Sequence, residues 1–340
     1  HQRSAQGHAL GAALMQMPHI LVLDEPTQYA DHSNLRSSLQ FVADWAARFD
    51  MAVLLIEHNL PLLSRFCERV FIMERGRLRQ GLPEAASFPQ CRPRDLNGCK
   101  PLIELKEVHY SYRPGKPVLR GADLKIYRSE AVALLGPNGS GKSTLAKIIC
   151  GLYKPGSGTV RFEGREMSAS QERFKRIGLV MQNPDQQLFA PTVMEECSFG
   201  PRNFRLPESR YRPMISARLG EFQMGEFEQR DPFSLSYGEK RRVNVTGILA
   251  CEPDVLILDE PTCALDTENQ RILLDLVLKL KSRGKTIIVI THDLNFARAV
   301  CTRALLVSRG RIVKDLPMNE IGVREESGER GESGVKYVVS

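Results

Sequence analysis

One ten-residue pattern occurs twice in this chain of 340 residues and limits how it can fold. Residues 18–27 read PHILVLDEPT and residues 253–262 read PDVLILDEPT, in each case a proline, an apolar run and then Asp-Glu-Pro-Thr. Two later segments repeat at almost the same spacing, LLIEHNL with IVITHDL and MERGRL with VSRGRI. The offsets are 235, 234 and 234 residues. Motifs that recur in nearly constant register predict two copies of one structural unit.

The two copies differ in extent. We assign residues 1–79 to the C-terminal part of a first domain, and residues 102–316, which continue far upstream of the second Asp-Glu pair, to a complete second domain. Residues 80–101 between them are rich in proline and glycine and lack apolar periodicity, as expected of a linker. The tail, residues 317–340, carries the charged run VREESGERGESG and is predicted to be disordered.

Short β-rich runs alternate with helical stretches in the second domain. Three of these runs, VLILDE, TIIVIT and RALLVS, are almost continuously apolar. Strands that are apolar on both faces are typical of a parallel sheet covered by helices on each side. The sequence therefore predicts an α/β fold built on a mostly parallel sheet.

The composition argues against several classes of protein. Hydrophobic residues make up 42% of the chain and charged residues 26%, as in ordinary globular proteins. The longest apolar runs are far shorter than the ~18 residues of a membrane-spanning helix, and the opening HQRSAQGHAL does not have the pattern of a secretory signal. The eight cysteines form no CxxC pair, so we expect reduced thiols and no zinc site. The formal charge of +7 fits a mildly basic surface, with nucleic-acid binding as the alternative.

The segment GPNGSGKST, residues 136–144, lies between a predicted strand and a predicted helix. It fits the pattern G-x-x-x-x-G-K-[ST], whose glycines let backbone N–H groups surround a phosphate. In this pattern Lys142 reaches the β and γ phosphates of a nucleotide and the Ser143 hydroxyl binds Mg²⁺. A glycine turn that only caps a helix is the structural alternative. The predicted ATP-contacting residues are Gly136, Pro137, Asn138, Gly139, Ser140, Gly141, Lys142, Ser143 and Thr144.

Acidic residues follow the apolar run VLIL directly. Asp259 and Glu260 are therefore placed at the C-terminal end of a buried strand, where open α/β sheets bind ligands. Asp259 suits Mg²⁺ or its water shell, and Glu260 suits orienting and deprotonating a water that attacks the γ-phosphate. His292, after the next strand, is placed to hydrogen-bond the γ-phosphate. Alone, a surface acidic pair and a structural histidine would be the ordinary interpretation.

The stretch LSYGEKRR, residues 235–242, opens a predicted helix. Ser236 and Glu239 have the S-x-x-E spacing of a capping box. Such a helix start offers N–H groups and the positive end of the helix dipole to an anion.

Together these motifs resemble the ATP-binding cassette (ABC) family. The resemblance implies a P-loop NTPase cassette with a mostly parallel sheet, an antiparallel β subdomain and a helical subdomain, plus the C-terminal half of a second cassette. It implies that Ser236 and Gly238 contact the γ-phosphate held by an opposite cassette, so that hydrolysis needs two cassettes face to face, either within one longer chain or by dimerisation. Tyr237 departs from the family's usual glycine and Glu239 from its glutamine.

The same resemblance assigns further roles. It implies that Tyr112 stacks on adenine, that Gln182 contacts Mg²⁺ and the attacking water, and that Asp266 lies in the loop at the cassette interface. In the first half-cassette it assigns the hydrolytic positions to Asp24, Glu25, Asp31 and His58. No phosphate loop precedes Asp24, and we expect this chain to be a fragment of a longer tandem protein.

Residues 180–201, VMQNPDQQLFAPTVMEECSFGP, are similar to the ATPases of energy-coupling factor importers for vitamins and metal ions such as cobalt or nickel. This resemblance implies an ATP-hydrolysing subunit that is peripheral at the cytoplasmic face of the membrane and works with integral membrane subunits. We expect Leu188 and Phe189 to form part of that contact. A soluble cassette that acts on nucleic acid or ribosomes is the alternative, whereas Glu260 and His292 disfavour a regulatory cassette without hydrolysis.

Overall fold

A computed structural model describes residues 10–24, 26, 32–57, 66–74, 76–81, 98–166, 171–325 and 335–339. The chain divides into two compact units, His1–Ser87 with Val323–Val338 and Phe88–Gly322 with Val339–Ser340. The division after Ser87 falls inside the predicted linker, of which residues 82–97 lie outside the described residues. The predicted domain boundaries stay a prediction.

The first unit contains a strand–helix–strand element. Strand β1 (Ile20–Asp24) and strand β2 (Ala52–Ile56) pair in parallel, and helix α1 (His32–Phe49) connects them. A small core beneath them consists of Leu14, Leu21, Val42 and Met51. Strands β3 (Phe71–Glu74) and β4 (Arg77–Gln80) form an antiparallel hairpin.

The predicted tail, residues 317–340, contains two strands that the sequence analysis did not anticipate. After a short turn of helix, β15 (Ile321–Glu325) and β16 (Val335–Val339) form a two-stranded sheet. The expectation of disorder rested on the charged run of residues 323–334. Its first three residues belong to β15, and residues 326–334 lie outside the described residues. The strands are richer in apolar and β-branched residues, which favour extended structure.

A six-stranded sheet forms the centre of the second unit. Its order is β10-β11-β12-β7-β13-β14, with all neighbours parallel except β14, which is antiparallel to β13. All residues of β7, β11 and β12 are buried because helices cover both faces. The strands are β7 (Ala131–Leu135), β10 (Ile177–Val180), β11 (Val255–Asp259), β12 (Thr286–Ile290), β13 (Arg303–Ser308) and β14 (Arg311–Pro317).

An antiparallel sheet of order β6-β5-β8-β9 shares the core of this unit. Leu105 and Ile126 of this sheet pack in the same apolar cluster as Leu145 and Ile149 of the helix that follows β7. This shared cluster fixes the start of that helix against two sheets. The four strands are β5 (Pro101–Ser111), β6 (Pro117–Tyr127), β8 (Ser157–Phe162) and β9 (Arg165–Glu166).

Helices complete the second unit. Three of them, α4 (Val193–Asn203), α5 (Glu208–Glu221) and α6 (Tyr237–Leu249), pack against one another as a helical subdomain. The remaining helices are α2 (Lys142–Cys150), α3 (Gln171–Arg176), α7 (Thr267–Ser282) and α8 (Leu294–Val300). The predicted α/β fold with a mostly parallel sheet is confirmed. Within the part of the chain that the structure describes, no helix has the length and apolar content needed to cross a bilayer.

Candidate nucleotide-binding site

The loop between β7 and α2 has a shape that requires glycine. Gly136 has φ 145°, and a Cβ added there would lie 2.1 Å from the carbonyl oxygen of Val307 on the neighbouring strand. Gly141 caps α2 with φ 108° and provides no side-chain hydrogen bond. The first-turn N–H groups of this nine-residue helix therefore have no side-chain cap and point toward the loop. Such a helix start attracts an anion through its N–H groups and its dipole.

The Lys142 side chain lies along the loop. Its ammonium nitrogen donates to the carbonyl oxygens of Gly136, at 2.7 Å, and Pro137, at 3.0 Å. The side chain is buried, and its positive charge lies where the start of the helix would bind an anion. A phosphate in the loop would meet a charged donor that is already in place.

Asp259 and Ser143 provide oxygen atoms beside the loop. Asp259 ends β11 and is only 7% exposed, and its Oδ1 has no hydrogen-bond partner in the described part of the chain. Burial raises the pKa of the Asp259 carboxyl, while a hydrogen bond from Ser143 and the charge of Lys142 act in the opposite direction. A buried carboxylate oxygen without a partner, next to a hydroxyl, is a donor set that fits Mg²⁺.

Glu260 and His292 meet at the ends of two adjacent strands. Glu260 has a positive φ of 45°, an uncommon conformation that is held by its N–H bond to Ile290 O at 2.7 Å. The His292 backbone N–H donates to Glu260 Oε2 at 3.3 Å, and its ring Nε2 lies 3.3 Å from Glu260 Oε1. Burial raises the pKa of Glu260, and the neighbouring Asp259 raises it further. A carboxyl with a raised pKa is suited to accept a proton.

Asn138 of the loop lies 2.9 Å from the same histidine nitrogen, measured at its Oδ1. The structure thus joins the phosphate loop, His292 and Glu260 through direct contacts. The sequence pattern included Asn138 only as a loop residue, since nothing in the spacing of the two segments shows that they touch.

Tyr112 lies over the start of α2. Its hydroxyl is 3.0 Å from Thr144 Oγ1, and its half-exposed ring makes edge contacts with Tyr110 and Tyr153, at centroid distances of 5.2 and 5.6 Å. This position beside the loop is compatible with the predicted adenine contact, which stays a prediction. Tyr110 and Tyr153, whose rings stack 5.3 Å apart, lie in no motif that predicts a place beside the loop.

Helix α6 begins with the predicted capping box. The Ser236 hydroxyl accepts from the Glu239 N–H, and Glu239 Oε2 accepts from the Ser236 N–H at 2.8 Å, which confirms that prediction. Ser236 is exposed. A Cβ on Gly238 would lie 3.0 Å from the side chain of Asn269, which in turn donates to Asp266, the N-cap of α7. Ser236, Gly238 and Asp266 thus belong to one surface.

Gln182 follows β10, and its residue is exposed. Its backbone carbonyl accepts hydrogen bonds from the hydroxyl of Tyr237, at 2.8 Å, and from the guanidinium of Arg241, at 2.5 Å. Neither donor is predicted by a motif, since the sequence marks Tyr237 only as a departure from the family's glycine.

The predicted residues of the first half-cassette are only partly described. Asp24 ends β1 as Asp259 ends β11, at the same position of the repeated motif. Glu25, Asp31 and His58 lie outside the described residues. Their roles stay predictions.

The second unit therefore combines a phosphate loop, a carboxylate pair and a histidine at one edge of a parallel sheet, which defines a nucleotide-binding cassette. A family model described as ABC transporter matches residues 119–263. The energy-coupling factor transporter ATP-binding protein of Methanothermobacter thermautotrophicus is 39% identical over 63% of this chain and 70% of its own length. The chain belongs to the ABC transporter ATP-binding proteins.

A putative ABC transporter ATP-binding protein of Methanosarcina acetivorans is 30% identical over 96% of this chain, which spans 64% of that relative's length. The structure of cbiO1 from Clostridium perfringens, part of the ABC transporter complex cbiONQ, is 34% identical with a TM-score of 0.58, covering 65% of this chain and 90% of the other. A dimeric cassette in a post-hydrolysis state with ADP and phosphate is 29% identical with a TM-score of 0.59, covering 64% and 98%. The cassette fold is thus that of an ATPase.

We expect Lys142→Ala to weaken ATP binding about 10- to 100-fold, because a hydrogen bond to a charged group contributes ~1.5–3 kcal/mol. Titration with a fluorescent ATP analogue would measure this. Lys279→Ala is the matched control, because this exposed lysine in the last turn of α7 also loses one positive charge. Equal ATP affinity of the Lys142→Ala protein and the parent would show that Lys142 does not bind the nucleotide.

Proposed function

We propose that this chain is the ATP-binding and ATP-hydrolysing subunit of an ABC importer of the energy-coupling factor type. The observation that carries the ATPase is that His292 contacts both Glu260 and Asn138 of the phosphate loop. The importer type is supported by relatives named energy-coupling factor transporter ATP-binding proteins, at 39% and 43% identity. The proposed solutes are vitamins or metal ions such as cobalt or nickel, and the proposed location is the cytoplasmic face of the membrane.

In this proposal Glu260 accepts a proton from a water molecule, whose oxygen forms a bond to the γ-phosphorus. The bond from that phosphorus to the bridging oxygen breaks, and the products are ADP and inorganic phosphate. Lys142 stabilises negative charge on the phosphates, and His292 holds Glu260 next to the loop. Ser143, Gln182 and Asp259 would hold Mg²⁺, which supplies positive charge at the β and γ oxygens.

Glu260→Gln tests the ATPase. It removes the general base but keeps the shape of the side chain, so we expect kcat to fall ~10²- to 10⁴-fold while ATP binding is retained. Phosphate release and nucleotide titration measure the two quantities. Glu221→Gln, in an exposed ion pair with Arg218 at the end of α5, is the matched control and should retain the parent rate. A kcat of the Glu260 variant within a few-fold of the parent value would show that Glu260 is not the general base.

The composite site is the second part of the proposal. Ser236 and Gly238 lie at an exposed helix start, where they can meet the γ-phosphate of another cassette. The sequence contains one G-x-x-x-x-G-K-[ST] motif, at residues 136–143. A dimeric arrangement is found in a structural relative with ADP and phosphate bound. We therefore propose that two copies of the second unit form the hydrolysing pair when this chain is studied alone.

A pairing of chains makes the activity depend on concentration. We expect the specific ATPase activity to rise with protein concentration until the dimer is saturated, because dissociated cassettes have incomplete sites. Steady-state rates over a hundred-fold dilution series, with sedimentation velocity on the same samples, would test this. High activity that stays constant while the protein is monomeric would contradict the composite site.

The proposed membrane contact is narrower than the sequence suggested. Leu188 is only 6% exposed and packs inward, as expected of a core leucine, so we no longer place it on the surface. Phe189 and Phe199 are 56% and 49% exposed, and their rings form an edge contact at 4.5 Å. The Glu196 carboxylate accepts from the Phe189 and Ala190 N–H groups, at 2.9 and 2.8 Å, and fixes this pair to α4. We propose that the pair receives an amphipathic helix of a membrane subunit.

Replacing Phe189 and Phe199 by serine should abolish co-purification with membrane subunits, because the variant loses the apolar contact area. Basal ATPase activity should stay within about two-fold, since both rings are exposed and contribute little to the core. Val313→Ser, another exposed apolar residue, is the control. Tagged proteins would be purified from detergent-solubilised membranes and their partners identified by mass spectrometry. Unchanged co-purification would contradict the docking role.

A further inference from the structure

One face of helix α6 is bound to the segment that contains Gln182. The side chains of this face are Tyr237, Lys240, Arg241 and Asn244, which have the i, i+3, i+4, i+7 spacing of neighbours along a helix. Each of them donates a hydrogen bond to the segment 181–186. We call these four side chains the α6 clamp.

The clamp acts mainly on backbone oxygens. Tyr237 donates to Gln182 O at 2.8 Å, and Asn244 donates to Pro184 O at 3.0 Å. Lys240 forms an ion pair with Asp185 at 2.9 Å. Backbone contacts of this kind set the path of the chain itself, so they determine where the Gln182 side chain begins.

Arg241 connects this segment to the carboxylate pair. Its guanidinium donates to Met181 O, to Gln182 O at 2.5 Å and to Glu260 O at 3.3 Å. The residue is only 1% exposed. Burying a guanidinium is unfavourable where a donor lacks a partner, as the Arg241 Nε does among the described residues. The hydrogen bonds of its two terminal nitrogens are strong in such a dry site. The arginine therefore holds the carbonyls of Gln182 and Glu260 at a fixed separation.

Tyr237 lies one residue after Ser236. Its ring lies 5.8 Å from the Arg241 guanidinium, and its hydroxyl reaches past the helix start to Gln182 O. The side chain thus spans from the exposed helix start to the Gln182 carbonyl, a distance that a glycine at this position could not bridge. This contact gives a role to the residue that departs from the family pattern.

We propose that Tyr237 and Arg241 are positioning residues for hydrolysis, which hold Gln182 and Glu260 in place when Ser236 engages the phosphate of an opposite cassette. This inference rests on the proposed function. Helix α6 has Ser236 at its start and the clamp along its side. A movement of Ser236 is therefore transmitted through the helix to the clamp. Occupation of one ATP site then orders the catalytic groups of the cassette opposite.

Tyr237→Phe tests the hydrogen bond from Tyr237 to Gln182 O by itself, because it removes the hydroxyl and keeps the ring. Loss of one positioning hydrogen bond should lower kcat about three- to ten-fold, while KM for MgATP stays within about two-fold. Tyr211→Phe is the matched control. Tyr211 is buried in the helical subdomain and its hydroxyl accepts from Arg202 at 3.3 Å, so this variant also loses one hydroxyl contact but should retain the parent kcat.

A double-mutant cycle separates positioning from general stability. If Tyr237 acts through Gln182, the change Tyr237→Phe should alter kcat less than about 1.5-fold in a Gln182→Ala background. Equal fold-changes in both backgrounds would overturn the inference. So would an unchanged kcat in the single Tyr237→Phe variant, or a rate loss that appears equally in Tyr211→Phe.

Arg241→Lys tests the second residue, since an ammonium keeps the charge but cannot match the fork of a guanidinium. We expect a folded protein, checked by its melting midpoint, with kcat reduced at least ten-fold and KM for MgATP within about two-fold. A folded variant with the parent kcat would overturn the role of Arg241. Failure of the proposed function can be told apart from failure of this inference, because Glu260→Gln would then retain ATPase activity. If Glu260→Gln abolishes ATP hydrolysis while Tyr237→Phe leaves kcat unchanged, only this inference is overturned.

Discussion

The arrangement of the second unit depends on the complete burial of its central strands. All residues of β7, β11 and β12 are buried, so polar side chains can occur only at their ends. Because these strands are parallel, their C-terminal ends meet at one edge, where the phosphate loop, Asp259 and the Glu260–His292 pair collect. The same packing buries most of the Glu260 side chain, and this burial raises the pKa of its carboxyl. One packing constraint therefore produces both the position and the chemistry of the site.

Much of this could be predicted from the sequence because strand burial and loop shape are local properties. The apolar runs before Asp259 and His292 indicated buried strands. The glycines of residues 136–144 indicated a tight loop, and a Cβ at Gly136 would indeed clash with the Val307 carbonyl. The capping box at Ser236 was likewise encoded within four residues, and the structure confirms it. In each case the determining residues are close in the chain.

Contacts between distant segments could not be predicted in this way. No spacing rule brings Asn138 to His292 across 154 positions, or Tyr237 to Gln182 across 55. Leu188 and Phe189 were both expected at the surface because they follow a strand at the nucleotide and precede a Pro-Thr helix start, but the leucine is buried and only the phenylalanine is exposed. Side-chain direction in an irregular segment depends on tertiary contacts and not on composition. Two findings that the sequence did not predict, the buried Leu188 and the donors to the Gln182 carbonyl, therefore lie in one segment, residues 181–189.

That segment is fixed at both ends and along its side. The Gln187 side chain closes it, since its amide accepts from Met181 N–H at 2.8 Å and donates to Leu179 O at 3.1 Å. The α6 clamp holds its middle, and Glu196 holds Phe189 at its end. Under the proposed function, a segment held by so many backbone contacts would transmit a displacement at the nucleotide to the exposed Phe189–Phe199 pair, and a force applied to that pair to Gln182.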